Sequence, residues 1–311
     1  PAVNAIFDPQ HQPHANEEVV WDGGDADFSV KIDDDNTLFI FADTLLGNWN
    51  QTTGARTCDR NFGVAQCNLT TMNYMPHSSV GIFNNKKKSL KYFWGAEDNE
   101  NETSSFFRPP YQKFSGRDYW WPIVATQLDP FSGNDTFYIF GVRVLRDVEA
   151  NHTKKDFFSS QYHHHHHHHD HHNMSGAFGF TVNGTYVVKV EGVKENPTNP
   201  RAWTQTWDRM AFTGNLSIWD FKHEVEWRNA LLSEYSTTQS SSFVYLYGTV
   251  HTNMNTSGSP NKLFDRQVVS RISMTNLEMF NWSGLSVLVN NGTYVPWTFS
   301  ENDSSESNIA L

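Results

Sequence analysis

Three carboxylates, Asp25, Asp27 and Asp43, flank one predicted hairpin. Paired carboxylates are what glycoside cleavage needs, one to protonate the leaving oxygen and one to act as base or nucleophile. In WDGGDADFSVKIDDDNTLFIFADT the turn falls at Asp33 to Asn36, so the entering strand begins near Asp25 and its partner ends near Asp43. Both acids are expected at one end of a sheet and form the first candidate catalytic pair. Asp27 lies two residues from Asp25 and projects to the same face, where a neighbouring like charge can raise one pKa. Asp at strand ends also commonly bonds backbone N–H groups in turns, and that structural role stands beside the catalytic one.

Tyr119, Trp120, Trp121 and Trp227 are candidates for stacking on sugar rings, because flat aromatic faces give large apolar contact at low entropy cost. Aromatic residues make up 14% of the chain, so most of them must serve as core. Nine of the 15 histidines fall between His163 and His172, a density that reads as low complexity in a loop insertion. His163, His165, His167 and His169 could bind a transition metal weakly, but no specific metal site is expected, and no cofactor is required. No Gly-rich phosphate loop, Gly-x-Ser-x-Gly elbow, EF-hand loop or HExxH helix occurs.

The elements that must position these residues are strands. Strand, polar turn and strand repeat along the chain with almost no amphipathic helix, which predicts an all-β protein. DFSVKI and TLFIFADT pair around Asp33 to Asn36, and SVGIF and SLKYFWG pair around Asn84 and Asn85, making one four-stranded sheet. IVATQL and TFYIFGVRVL follow, then AFGFTV and TYVVKV, where Asn183-Gly184 is the strongest two-residue hairpin signal in the chain. FVYLYGTV, QVVSRISM and finally SVLV and TYVPW complete the series. Successive antiparallel meanders read as propeller blades within a single domain over 1–311, with a β-sandwich as the main rival. The expected blades are roughly 20–95, 118–192 and 216–285, with 286–311 the start of an incomplete one.

Trp21 to Gly47 resembles the first blade of five-bladed propeller glycosidases, closest to an endo-D-arabinanase-like branch, in its Gly-x-Asp, strand, turn and Phe-Gly-Asp-Thr order. SSVGIF, YWWP, FVYLYGT and VVSRIS resemble later segments of that family. The resemblance implies a five-bladed propeller and assigns catalysis to Asp25 and Asp43. It also implies a further acid on a later blade, for which Glu224, Glu226 and Glu234 are candidates. Arg271 in VVSRIS stands where relatives carry an inner-strand Arg, either clamping a carboxylate or sugar hydroxyl or making a structural ion pair. Two departures stand out: Ala42 replaces the usual Gly before Asp43, and the last blade is short, which suggests a longer polypeptide, self-assembly or a partner chain that completes the ring.

Composition bounds the setting. The 311 residues carry 23 Lys and Arg against 34 Asp and Glu, a net charge of −11, which disfavours a nucleic acid partner. No apolar run has the roughly 18 residues that a membrane-spanning helix needs. Twelve glycosylation sequons begin at Asn50, Asn68, Asn101, Asn134, Asn151, Asn173, Asn183, Asn215, Asn255, Asn281, Asn291 and Asn302. Random placement would give about 5, so a secreted, extracellular glycoprotein bearing N-glycans is expected. Cys58 and Cys67, the two cysteines, are expected to bridge each other in an oxidising compartment. Two functions follow: a glycoside hydrolase-like enzyme acting on an extracellular polysaccharide, or a non-catalytic glycan-binding or structural subunit of a coat, matrix or filament.

Overall fold

The computed structural model describes residues 20–25, 27–47, 49–50, 55–56, 76–95, 105–110, 118–130, 135–146, 180–210, 223–237, 242–254, 262–289 and 292–296. These form an all-β protein whose one short α-helix is α1 (Met274–Glu278). Three antiparallel meanders dominate. The first sheet is β2 (Phe28–Lys31), β3 (Asn36–Phe41), β7 (Ser79–Asn84) and β8 (Ser89–Phe93) in that order. The second is β9 (Asp118–Ala125), β10 (Phe137–Arg146), β11 (Phe180–Glu191) and β12 (Thr204–Arg209). The third is β13 (His223–Glu234), β14 (Phe243–Met254), β15 (Lys262–Ser273), β16 (Ser286–Leu288) and β17 (Tyr294–Pro296). Two ribbons, β1 (Val20–Gly24) with β4 (Thr44–Gly47) and β5 (Trp49–Asn50) with β6 (Ala55–Arg56), lie outside these sheets.

Alternation along the strands explains how the sheets stack. Phe137 and Ile139 of β10 face the first sheet and share a core with Val30, Leu38, Ile40, Val80 and Ile82. Tyr138 and Phe140, one residue out of phase, face the third sheet and pack with Val244, Leu246, Val268 and Ile272. A strand buried on both faces reads as a continuous apolar run, and IVATQL and TFYIFGVRVL read so. Each such side chain withdrawn from water contributes about 1.5–3 kcal/mol. The sheets therefore stand face to face in chain order, first, second and third, and the described residues do not close them into a ring.

The first hairpin forms where its sequence predicts. Lys31 pairs with Thr37, and Asp33 Oδ1 accepts the backbone N–H groups of Asp35 and Asn36, which holds the turn. Asn183-Gly184 does not form a hairpin turn. The strand β11 runs through it, and while Val142 pairs with Thr185, Val144 pairs with Val182, so two residues oppose Arg143 alone. Gly184, at φ 88°, supplies the left-handed residue that a bulge uses as readily as a hairpin turn does. The second sheet continues past 192 to include β12, and residues 286–296, expected to open another blade, supply β16 and β17 of the third sheet.

Candidate active site

The first sheet leaves its plane at the two acids singled out above. β1 and β2 on one side, and β3 and β4 on the other, form one long ribbon interrupted at Asp25 and Asp43. The N–H of Asp25 donates to the Asp43 carbonyl at 3.1 Å, and that of Ala42 donates to the Asp25 carbonyl at 3.0 Å. Two residues, Ala42 and Asp43, thus stand opposite Asp25 alone, a bulge-like offset of the kind used to re-aim side chains. Ala42 is buried and is not among the positive-φ residues, so the alanine in place of glycine brings no left-handed strain here.

Bonds from three other segments fix the kink. The Thr44 N–H donates to the Pro76 carbonyl at 2.8 Å, and its hydroxyl bonds the Ala42 carbonyl and shares a 2.7 Å bond with Ser79 Oγ. Trp21 Nε1–H donates to the same Ser79 Oγ at 3.1 Å. Asp43 Oδ1 then accepts two bonds, each 2.7 Å, from His77 Nδ1 and from Trp121 Nε1 of β9. The His77 ring stacks on Tyr119, with centroids 3.6 Å apart and planes 13° apart, and the His77 backbone N–H donates to Ser105 Oγ. Asp43 therefore ties the approach to β7 to the edge strand of the second sheet.

Asp25 meets a different environment. It keeps more than a third of its surface in water, yet partial burial and then the Asp43 charge raise its carboxyl pKa. Backbone N–H groups of Asp43 and of Asp25 itself, and the His77 charge, pull it back. Asp27 is also raised, by partial burial. Two carboxyls in contact electrostatically but set in unlike surroundings are the arrangement that separates acid from base in proton-transfer sites.

The structure divides the other sequence candidates. Tyr119 and Trp121 join the Asp43 cluster, although Tyr119 is 6% exposed and its ring is covered by His77. Trp120, at 1% exposed, points the other way, into the core against Phe107 and Trp207. It offers no face to a ligand. Trp227 lies in β13 where Trp227, Arg228 and Asn229 stand opposite Gly248 alone. Arg271 belongs to the third sheet, its guanidinium carbon 4.0 Å from the Tyr294 ring centroid and 4.6 Å from that of Phe243. Glu234 accepts a 2.7 Å bond from the Tyr245 hydroxyl, and Glu224 and Glu226 pair with His251 and Thr249 along β13 and β14. No described contact brings these later residues to Asp25 or Asp43.

His77 is the site residue that sequence reasoning missed. It sits in MPHSSVGIF two residues before β7, and the pairing of Phe41 with Ser79 carries that strand's start to the end of β3, beside Asp43. The His163–His172 run lies outside the described residues. So do Cys58, Cys67 and nine of the sequon asparagines, Asn50, Asn183 and Asn281 being the exceptions. Asn281 is exposed, and its side chain bonds Asn276 and Ser283. Among the described residues no group of three His, Cys, Asp or Glu could hold a metal ion, and no helix is long and apolar enough to cross a membrane.

No family model matches the sequence, and no curated protein sequence matches it. Among solved structures the chain is similar to a candidate hydrolase from Bacteroides ovatus ATCC 8483, at 14% identity and a TM-score of 0.50. That likeness covers 98% of this chain but 60% of the other, so the chain spans less than two thirds of the neighbour's length. It is a likeness of fold.

Proposed function

We propose that this chain is a secreted, N-glycosylated, glycoside hydrolase-like β-propeller that acts on an extracellular polysaccharide through Asp25 and Asp43. One observation carries the reading: the ribbon kink joins the backbones of Asp25 and Asp43, and the Asp43 charge, with partial burial, raises the Asp25 carboxyl pKa. Asp25, drawn toward its neutral form and open to water, is the acid that protonates the leaving oxygen. Asp43, held by two N–H donors, is the base or nucleophile. Trp121 brings an aromatic face next to them for a sugar ring. Three sheets stacked face to face in chain order support the propeller, and the fold likeness to a candidate hydrolase lends weak support to the reaction class. The five-bladed ring, the Cys58–Cys67 bridge and the N-glycans belong to the same proposal.

One observation favours the second reading, a non-catalytic glycan-binding or structural glycoprotein. The two bonds on Asp43 Oδ1 clamp one sheet to the next, which a structural aspartate also does. Reducing-end release from a panel of plant, algal and bacterial polysaccharides separates the two. Cleavage of any one polymer by the full chain is expected, and retention of polymers without cleavage would leave the structural reading.

A further inference from the structure

The two donors that reach Asp43 converge on one oxygen. His77 Nδ1 and Trp121 Nε1 both lie 2.7 Å from Oδ1, and neither bonds Oδ2. An oxygen that accepts two N–H bonds of this length carries no proton of its own, because a hydroxyl hydrogen there would meet a donor hydrogen. Any proton exchange or attack by this carboxyl must then pass through Oδ2. The indole N–H is fixed by its ring in β9, but it alone leaves the carboxylate free to swing about its Cβ–Cγ bond. A second donor from a different direction removes that freedom. His77 is well placed to supply it, with its backbone N–H anchored on Ser105 Oγ at 2.9 Å and its ring laid flat on Tyr119 at 3.6 Å.

We propose that His77 is a positioning residue, which donates Nδ1–H to Asp43 Oδ1 and so turns Oδ2 toward the substrate and toward Asp25. This rests on the glycosidase reading of the Asp pair. The proposal implies a hydrogen on His77 Nδ1, because a carboxylate oxygen can only accept. Held this way, a carboxylate keeps near-attack geometry without spending binding energy on its orientation.

The test uses the full chain with His77→Phe, which keeps a ring over Tyr119 but has no donor, and His77→Asn, which keeps a donor. Hydrogen exchange of the Trp121 indole N–H, followed by NMR, reads the hold on Asp43 without any substrate. Exchange about tenfold faster in His77→Phe and close to wild type in His77→Asn is expected, as loss of one bond to a charged group allows. Unchanged exchange in His77→Phe, or equally fast exchange in both variants, would overturn the proposal. On a polysaccharide that the wild type cleaves, His77→Phe should lose about 10–100-fold in kcat with KM kept, and His77→Asn should recover most of it. A wild type that cleaves nothing defeats the glycosidase reading, while indole exchange still decides whether His77 holds Asp43.

Discussion

The kink at Asp25 and Asp43 and the outer face of the third sheet hold their charged groups by different balances of directed bonds and ring contacts. At the kink, a carboxylate is tied by directed N–H bonds from His77 and Trp121, which come from different segments. On the third sheet, the Arg271 guanidinium lies against the rings of Phe243 and Tyr294 and beside the Tyr245 hydroxyl, which itself donates to Glu234. Directed bonds set which atom faces outward, whereas ring contacts set a plane and leave the edge unassigned. Arg271 belongs to the third sheet, and the Asp pair to the ribbon that runs into the first. Under the proposed function, chemistry needing one defined oxygen falls to the kink.

The largest effect that can sharpen this contrast is expected where the kink rests on the core. Trp120→Ala removes a 1%-exposed side chain beneath Trp121 and should destabilise the fold by about 3–5 kcal/mol in denaturant unfolding. Gly141→Ala comes next. Its Cβ would fall inside contact distance of the Trp120 ring and the Trp121 carbonyl oxygen, both in the edge strand carrying the site, so a loss of about 1–3 kcal/mol is expected. Arg271→Ala removes a cation that lies against two rings and beside the Tyr245 hydroxyl and should cost about 0.5–1 kcal/mol, with polysaccharide cleavage unchanged. A large loss of cleavage in that variant would merge the two regions again.

The smallest effect is one of sign. Because folding raises the Asp25 pKa above its ordinary value, the folded chain binds that proton more readily than the unfolded chain. Its contribution to stability is then present at low pH and is lost as pH rises through the folded pKa. Asp25→Asn should consequently leave the protein slightly more heat-stable than wild type at neutral pH. The difference should vanish below the ordinary carboxylate range. A neutral-pH loss of stability in Asp25→Asn would mean that this carboxylate supports the fold.

Much of the architecture was legible because alternation and turn chemistry act locally. The Asp33–Asn36 turn and the placement of Asp25 beside Asp43 follow from the register of the first hairpin, and the four-stranded sheet from that hairpin paired with the second. Asn183-Gly184 misled because a positive-φ glycine serves a bulge and a hairpin turn equally, and only the pairing with β10 decides between them. The side toward which Trp120 and Trp121 each point depends on which face of β9 the first sheet covers, a tertiary fact that no local pattern carries. His77 was hidden for a similar reason, as its partner lies 34 positions away and meets it only once β7 has paired with β3.

The claim that Asp25 and Asp43 act as one site is tested most directly by kcat/KM on a cleaved polysaccharide for Asp25→Asn, Asp43→Asn and the double variant. Each single substitution should lose about 10²–10⁴-fold with the fold intact, and the double should be little worse than the more damaging single. Losses that multiply, or cleavage untouched by either substitution, would contradict it.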